Sequence, residues 1–192
     1  MIIAIVNSKG GVGKSTMAGN LAGWLALHGK HVILADCDLQ QSSSEWIQEA
    51  NPSIRVVRMS NADQVLDELP SLRLEADYVI ADGPGSQTET SRALLMWADL
   101  AIVPAKASMF EARALSKNTS FIRQAQAIRH GLPDAVCVLP GPAVAGPLAL
   151  PAVQARRGVR PPGPLALHVV PPGVHPRSRL DDFLETAQGE RT

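Results

Sequence analysis

Residues 7–16, NSKGGVGKST, sit between two different apolar patterns. Ahead of them runs IIAIV (2–6), a continuous apolar stretch that reads as a strand buried on both faces. Behind them Ala18, Leu21, Ala22 and Leu25 recur at helical spacing, and Gly29 stands where that helix must stop. A glycine-rich loop joining a buried strand to a helix is the setting of a phosphate-binding loop. Glycines let successive N–H groups turn inward with no Cβ in the way, and the helix N-terminus adds its positive dipole end. Gly10, Gly11, Val12, Gly13, Lys14, Ser15 and Thr16 are therefore the candidate nucleotide cradle. Lys14 suits the β- and γ-phosphates, the Ser15 hydroxyl suits Mg²⁺, and Thr16 suits the α-phosphate. Phosphate binding alone does not call for the second lysine, Lys9, ahead of the glycines.

The rest of the first 139 residues alternates in the same way. HVILAD (31–36), DYVIAD (77–82), DLAIVPA (99–105) and DAVCVL (134–139) read as core strands, and IRVVR (54–58) as a weaker one. Helices are expected near SSEWIQEA, near ADQVLDEL, over ETSRALLMW and over 109–129, the last with Leu115, Ile122, Ala125 and Ile128 inward. Repeated β–α units predict an α/β, three-layer P-loop NTPase fold. Its mostly parallel twisted sheet carries helices on both faces and ligands at the carboxyl ends of the strands.

Three carboxylates fall at those ends. Asp82 closes an apolar strand in the Walker B position, where an aspartate holds Mg²⁺ through its water shell. Asp36 and Asp38 follow the second strand and, two residues apart, share a face. Asp38 is the candidate to position or activate an attacking water, with Asp36 nearer the metal. The candidate metal set is thus Ser15, Asp36 and Asp82, and the candidate catalytic set Lys9, Lys14 and Asp38. Gly83 and Gly85 free the following loop to respond to a γ-phosphate.

Lys plus Arg and Asp plus Glu number 18 each, so any nucleic-acid surface would have to be a local patch. The N-terminus carries no basic leader and no apolar run long enough to span a membrane, which predicts a cytoplasmic protein. Cys37 and Cys137 fit a reduced compartment, and the histidines show no metal-ligand spacing. Trp24, Trp46 and Trp97 read as packing residues.

KGGVGKST, ILADCDLQQS and YVIADGPG, in this order and spacing, resemble the deviant Walker A, switch I and switch II of the ParA/MinD family. The chain is most similar to its short, plasmid-type partition ATPases, over about residues 1–139. The resemblance implies ATP and ADP as ligands with Mg²⁺, ATP hydrolysis, and an ATP-dependent homodimer. Lys9 matches the family's signature lysine, which reaches the partner subunit's phosphates. The resemblance also implies non-specific DNA binding, a ParB-like partner that stimulates hydrolysis, and nucleoid association in the ATP state without membrane binding. The chain begins at strand one, so no operator-reading extension is expected. Two rival expectations keep the fold: a nucleotide-gated binding module with little hydrolysis, and a switch for another cargo such as conjugation, cellulose synthesis or division-site placement.

Two departures stand out. Leu39 occupies the position after Asp38 where the family usually has proline. From Pro140 onward lie ten of the 15 prolines and no lysine, and the segment does not align with the family. Proline at that density predicts largely irregular chain, apart from short strands such as LALHVV and a terminal helix around Leu180, Phe183, Leu184 and Ala187. The domain reading is a P-loop core over 1–139 and a divergent segment over 140–192. That composition suits a shifted reading frame in GC-rich DNA and a genuinely divergent tail alike. The arginines at 156, 157 and 160 read as solvated.

Overall fold

The computed structural model describes residues 1–86, 88–105, 109–140 and 167–170. The elements follow as β1 (Ile2–Ile5), α1 (Lys14–Leu27), β2 (Val32–Asp36), α2 (Ser42–Ala50), β3 (Arg55–Arg58) and α3 (Ala62–Glu75). Then come β4 (Tyr78–Asp82), α4 (Glu89–Trp97), β5 (Leu100–Pro104), α5 (Met109–Ile128), β6 (Asp134–Pro140) and β7 (Leu167–Val170). The described strands make one sheet in the order β3-β2-β4-β1-β5-β6-β7. Every pairing from β3 to β6 is parallel, and β7 runs antiparallel against β6. The expected α/β architecture is the observed one.

Helices on both faces explain why the central strands β1, β2, β4 and β5 are almost wholly apolar. Ile2, Ala4 and Val6 face one layer, in which α3, α4 and α5 supply Leu69, Leu94 and Ile122. Ile3 and Ile5 face the other, in which α1 and α2 supply Ala18, Leu25 and Ile47. Gly19 lets α2 approach α1: a Cβ there would lie 2.4 Å from the Trp46 ring. Trp46 is the packing residue it was expected to be.

Two expectations change. Ile128 is 65% exposed, whereas Ile122 and Ala125 are buried. Each three-residue step turns the helix 60° short of a full circle, so two steps carry Ile128 about 120° round from Ile122 and off the inner face. Helix α3 also runs past Leu69, straight through Pro70, to Glu75. The buried stripe Val65, Leu69, Leu72 continues across the proline. Proline removes the amide that would bond the Leu66 carbonyl, and Leu66 is 41% exposed. Strand β7 falls within LALHVV, as expected. The side chain of Leu115, the irregular chain and terminal helix expected in the tail, and the arginines at 156, 157 and 160 lie outside the described residues.

Candidate functional site

The carboxyl ends of β1, β4 and β2 are level with one another: Ile5 pairs with Asp82, and Asp82 pairs with Asp36. The ends of these three neighbouring strands, the loops leaving them and the first turn of α1 carry every candidate site residue.

The loop after β1 is pinned at its start. Asn7 is buried, its Nδ2 donates to the Pro104 carbonyl at 2.6 Å, and its Oδ1 accepts the Lys9 N–H at 2.9 Å. Gly11 and Gly13 take φ of +71° and +95°, a region L side chains avoid. Nothing lies within 4 Å of a Cβ built at Gly10, Gly11 or Gly13, so the cradle is open on its outer side. Helix α1 starts at Lys14 with no side-chain cap, leaving its first amides to an anion. Lys14 is buried, and its Nζ donates to the Lys9 carbonyl at 3.2 Å. Burial pushes its pKa down, and Asp82 and Asp38 oppose that shift. Lys9 itself is exposed, as are Gly10, Gly11, Gly13 and Thr16, while Val12 and Ser15 are half-buried.

Asp36 is buried, and both its oxygens accept backbone N–H groups, Oδ1 from Asp38 at 3.2 Å and Oδ2 from Ser44 at 2.9 Å. It thereby ties the start of α2 to the end of β2. Asp38 is half-buried, and its Oδ1 accepts the Gln40 N–H at 3.0 Å. Its other oxygen turns toward the loop after β4. A Cβ built at Gly85 lies 3.9 Å from Asp38 Oδ2 and 3.9 Å from Lys14 Nζ, and 3.7 Å from the Gly10 Cα. The loops after β1, β2 and β4 thus meet around one point.

Asp82 is fully buried, and neither carboxylate oxygen has a hydrogen-bond partner. Burial raises its pKa to about 6, with the Asp36 charge adding to the rise. The hydroxyls of Ser15 and Ser43 and the Lys14 charge pull it back. Those hydroxyls stand near the carboxylate without reaching bonding geometry, since the Ser43 Oγ is itself buried and unpartnered. Two unpaired, buried carboxylate oxygens beside a serine hydroxyl are a donor set that fits a hydrated Mg²⁺. Gly83 permits this placement: its N–H donates to the Ile5 carbonyl at 2.9 Å, and a Cβ there would lie 2.9 Å from the same oxygen.

The structure brings Lys14, Asp38, Asp82 and Gly85 together and gives Asp36 a structural task. Sequence reasoning missed Asn7, Ser43 and Ser44. The serines look like the start of a helix, and only their placement beside Asp82 and Asp36 shows more.

Comparison with known proteins gives a consistent picture. The family model described as CobQ/CobB/MinD/ParA nucleotide binding domain matches residues 3–186, so the match runs further than the motifs did. A maintenance of carboxysome distribution protein A of Gloeobacter kilaueensis is 33% identical over 106 residues, 54% of this chain and 48% of that protein. The chain thus spans about half the length of this curated relative. Two solved structures share the fold. Cobyrinic acid a,c-diamide synthase of Mycobacterium smegmatis, with bound ADP and magnesium, has a TM-score of 0.62 at 18% identity, covering 72% of this chain and 73% of that one. A plasmid partition protein of Borrelia burgdorferi has a TM-score of 0.57 at 20% identity, covering 72% and 77%. Among the described residues, no helix is long and apolar enough to cross a membrane.

Proposed function

Because the chain belongs to the CobQ/CobB/MinD/ParA nucleotide binding domain family, we propose that it is a Mg²⁺-dependent ATPase that dimerises on ATP to distribute DNA, as in plasmid or chromosome partition. The observation that carries this reading is the meeting of three loops, with Lys14 Nζ and Asp38 Oδ2 each 3.9 Å from a Cβ built at Gly85. A cation for phosphate and a carboxylate for water share one space there.

The residues divide the work. The N–H groups of residues 10–16 and the start of α1 bind the phosphates, and Lys14 adds a positive charge that burial leaves poorly screened by water. Ser15 and Asp82 would hold Mg²⁺ with Asp36 near it, and Asp36 would also tie the start of α2 to the end of β2. When bound, Mg²⁺ neutralises charge on the phosphate oxygens. Asp38 accepts a hydrogen bond from the attacking water and orients it in line. Lys9, exposed at the mouth, reaches the triphosphate of a second copy, so that dimerisation depends on nucleotide. Non-specific DNA and a ParB-like protein are the partners of that dimer.

A second reading retains the chemistry and changes the cargo, and the carboxysome-distribution relative favours it. Light scattering with and without Mg²⁺-ATP, paired with phosphate release in the presence of DNA, tests the proposal. A doubled mass with ATP and DNA-stimulated release support partition. A doubled mass and turnover with no response to DNA shift the reading to a proteinaceous cargo. A constant mass and no phosphate release overturn both.

A further inference from the structure

Arg58 ends β3 at the edge of the sheet, paired in register with Asp36. Its guanidinium Nε donates to the Ser44 Oγ at 3.0 Å, and its Nη2 reaches Gln48 Oε1 at 3.5 Å. The Ser44 hydroxyl donates in turn to the Gln41 carbonyl at 2.9 Å, while the Ser44 N–H is held by Asp36. Gln41 is one of two described non-glycine residues with positive φ, at 53°. Its N–H donates to the Asp38 carbonyl at 3.0 Å, and the Gln40 N–H donates to the Asp38 carboxylate, also at 3.0 Å.

A serine hydroxyl carries one proton and can donate or accept. A guanidinium can only donate. With Arg58 seated on the Ser44 oxygen, the hydroxyl proton is left to point at Gln41. That bond, together with the Glu45 N–H on the same carbonyl at 3.2 Å, holds Gln41 in a backbone region that residues with a side chain rarely adopt. Gln41 in turn closes the loop that presents Asp38. We propose that Arg58, through Ser44, is a positioning residue that sets the orientation of Asp38 from the neighbouring edge strand. The inference rests on the water-orienting role given to Asp38 above and assigns that role a support outside the site.

The test compares Arg58→Met, which keeps the stem and loses the donor, with Arg58→Lys, which keeps a donor-only cation. Arg58 is exposed, so neither change disturbs the core. Ser44→Ala removes the relay from the other side. Arg58→Met and Ser44→Ala should lower kcat about fivefold to tenfold, the worth of one hydrogen bond, with KM for ATP unchanged because Lys14 and the glycines are untouched. Arg58→Lys should restore most of that loss. Amide hydrogen exchange at Gln40 and Gln41 in the nucleotide-free protein should quicken in Arg58→Met and Ser44→Ala and recover in Arg58→Lys. Parental kcat and exchange in Arg58→Met, or Arg58→Lys behaving like Arg58→Met, would overturn the inference. A parallel rise in KM would also overturn it, as a sign of general disruption. If the parent protein shows no turnover, the functional reading has failed, and the exchange pattern alone still decides the role of Arg58.

Discussion

Asp36 and Asp82 stand in register across β2 and β4, two carboxylates at the same level of one sheet with opposite circumstances. Asp36 takes backbone N–H groups on both oxygens, and Asp82 takes none. The cost of the arrangement therefore falls on Asp82, whose pKa rises from 3.8 to about 6. An acid whose folded pKa is raised holds its proton more tightly folded than unfolded. Its contribution to stability is full below pH 3.8 and is lost as pH rises through about 6. Asp82→Asn should remove that dependence. Denaturation of the nucleotide-free protein between pH 3.5 and 7 checks it, with the pH-dependent difference between variant and parent reaching about 3 kcal/mol in the variant's favour above pH 6. Parallel curves for the two proteins would show that Asp82 ionises without penalty.

The two lysines of the first loop should separate in their effects. Lys14→Ala should weaken ATP binding by about a hundredfold or more, because a buried cation facing phosphate is lost. Lys9→Ala should leave binding within about threefold and abolish the ATP-dependent increase in mass, since Lys9 is exposed and lies outside its own cradle. Titration with a fluorescent ATP analogue, alongside light scattering, reads both. Equal loss of binding in the two variants would remove the special role of Lys9.

Asp38→Ala should bind Mg²⁺-ATP and hold the dimer while hydrolysis falls by about a hundredfold or more, the usual worth of a positioned base. Phosphate release and mass, followed together, report on it. Parental turnover would place the water elsewhere.

Gly83 and Gly85 offer a contrast within one loop. A Cβ at Gly83 meets the Ile5 backbone oxygen at 2.9 Å, a contact that cannot give way easily, so Gly83→Ala should cost about 1–3 kcal/mol of stability. A Cβ at Gly85 meets ordinary contacts of 3.7–3.9 Å, but it enters the space between Lys14 and Asp38. Gly85→Ala should leave stability within about 0.5 kcal/mol of the parent and weaken ATP binding about tenfold. Thermal melts and nucleotide titration of both variants separate a folding glycine from a site glycine.

The glycine loop, its lysine and the strand-end aspartates were legible in the sequence because each chemical task demands a residue type at a fixed distance from an apolar strand. The strands were legible for a related reason: burial on both faces leaves an uninterrupted apolar run. What escaped depends on contacts between separate elements. Nothing in the spacing of Arg58 and Ser44 says that a sheet edge and a helix start will share a hydrogen bond. Asp36 was placed near the metal because carboxylates two apart share a face; that its oxygens also accept the Asp38 and Ser44 N–H groups depends on how α2 docks, which spacing does not show. Ile128 was misplaced because three-residue steps drift around a helix, and the run of α3 through Pro70 was not foreseen because proline is a poor helix former while the buried stripe Val65, Leu69, Leu72 passes it by.

The position of β1 within the sheet has its own consequence. The three strands bearing the site are central neighbours, with β5 standing between β1 and the pair β6 and β7. Of the residues after Pro140, the described strand β7 lies on that outer flank, with β5 and β6 between it and β1. A change confined to β7 therefore reaches the strand that carries the phosphate loop only through two intervening strands.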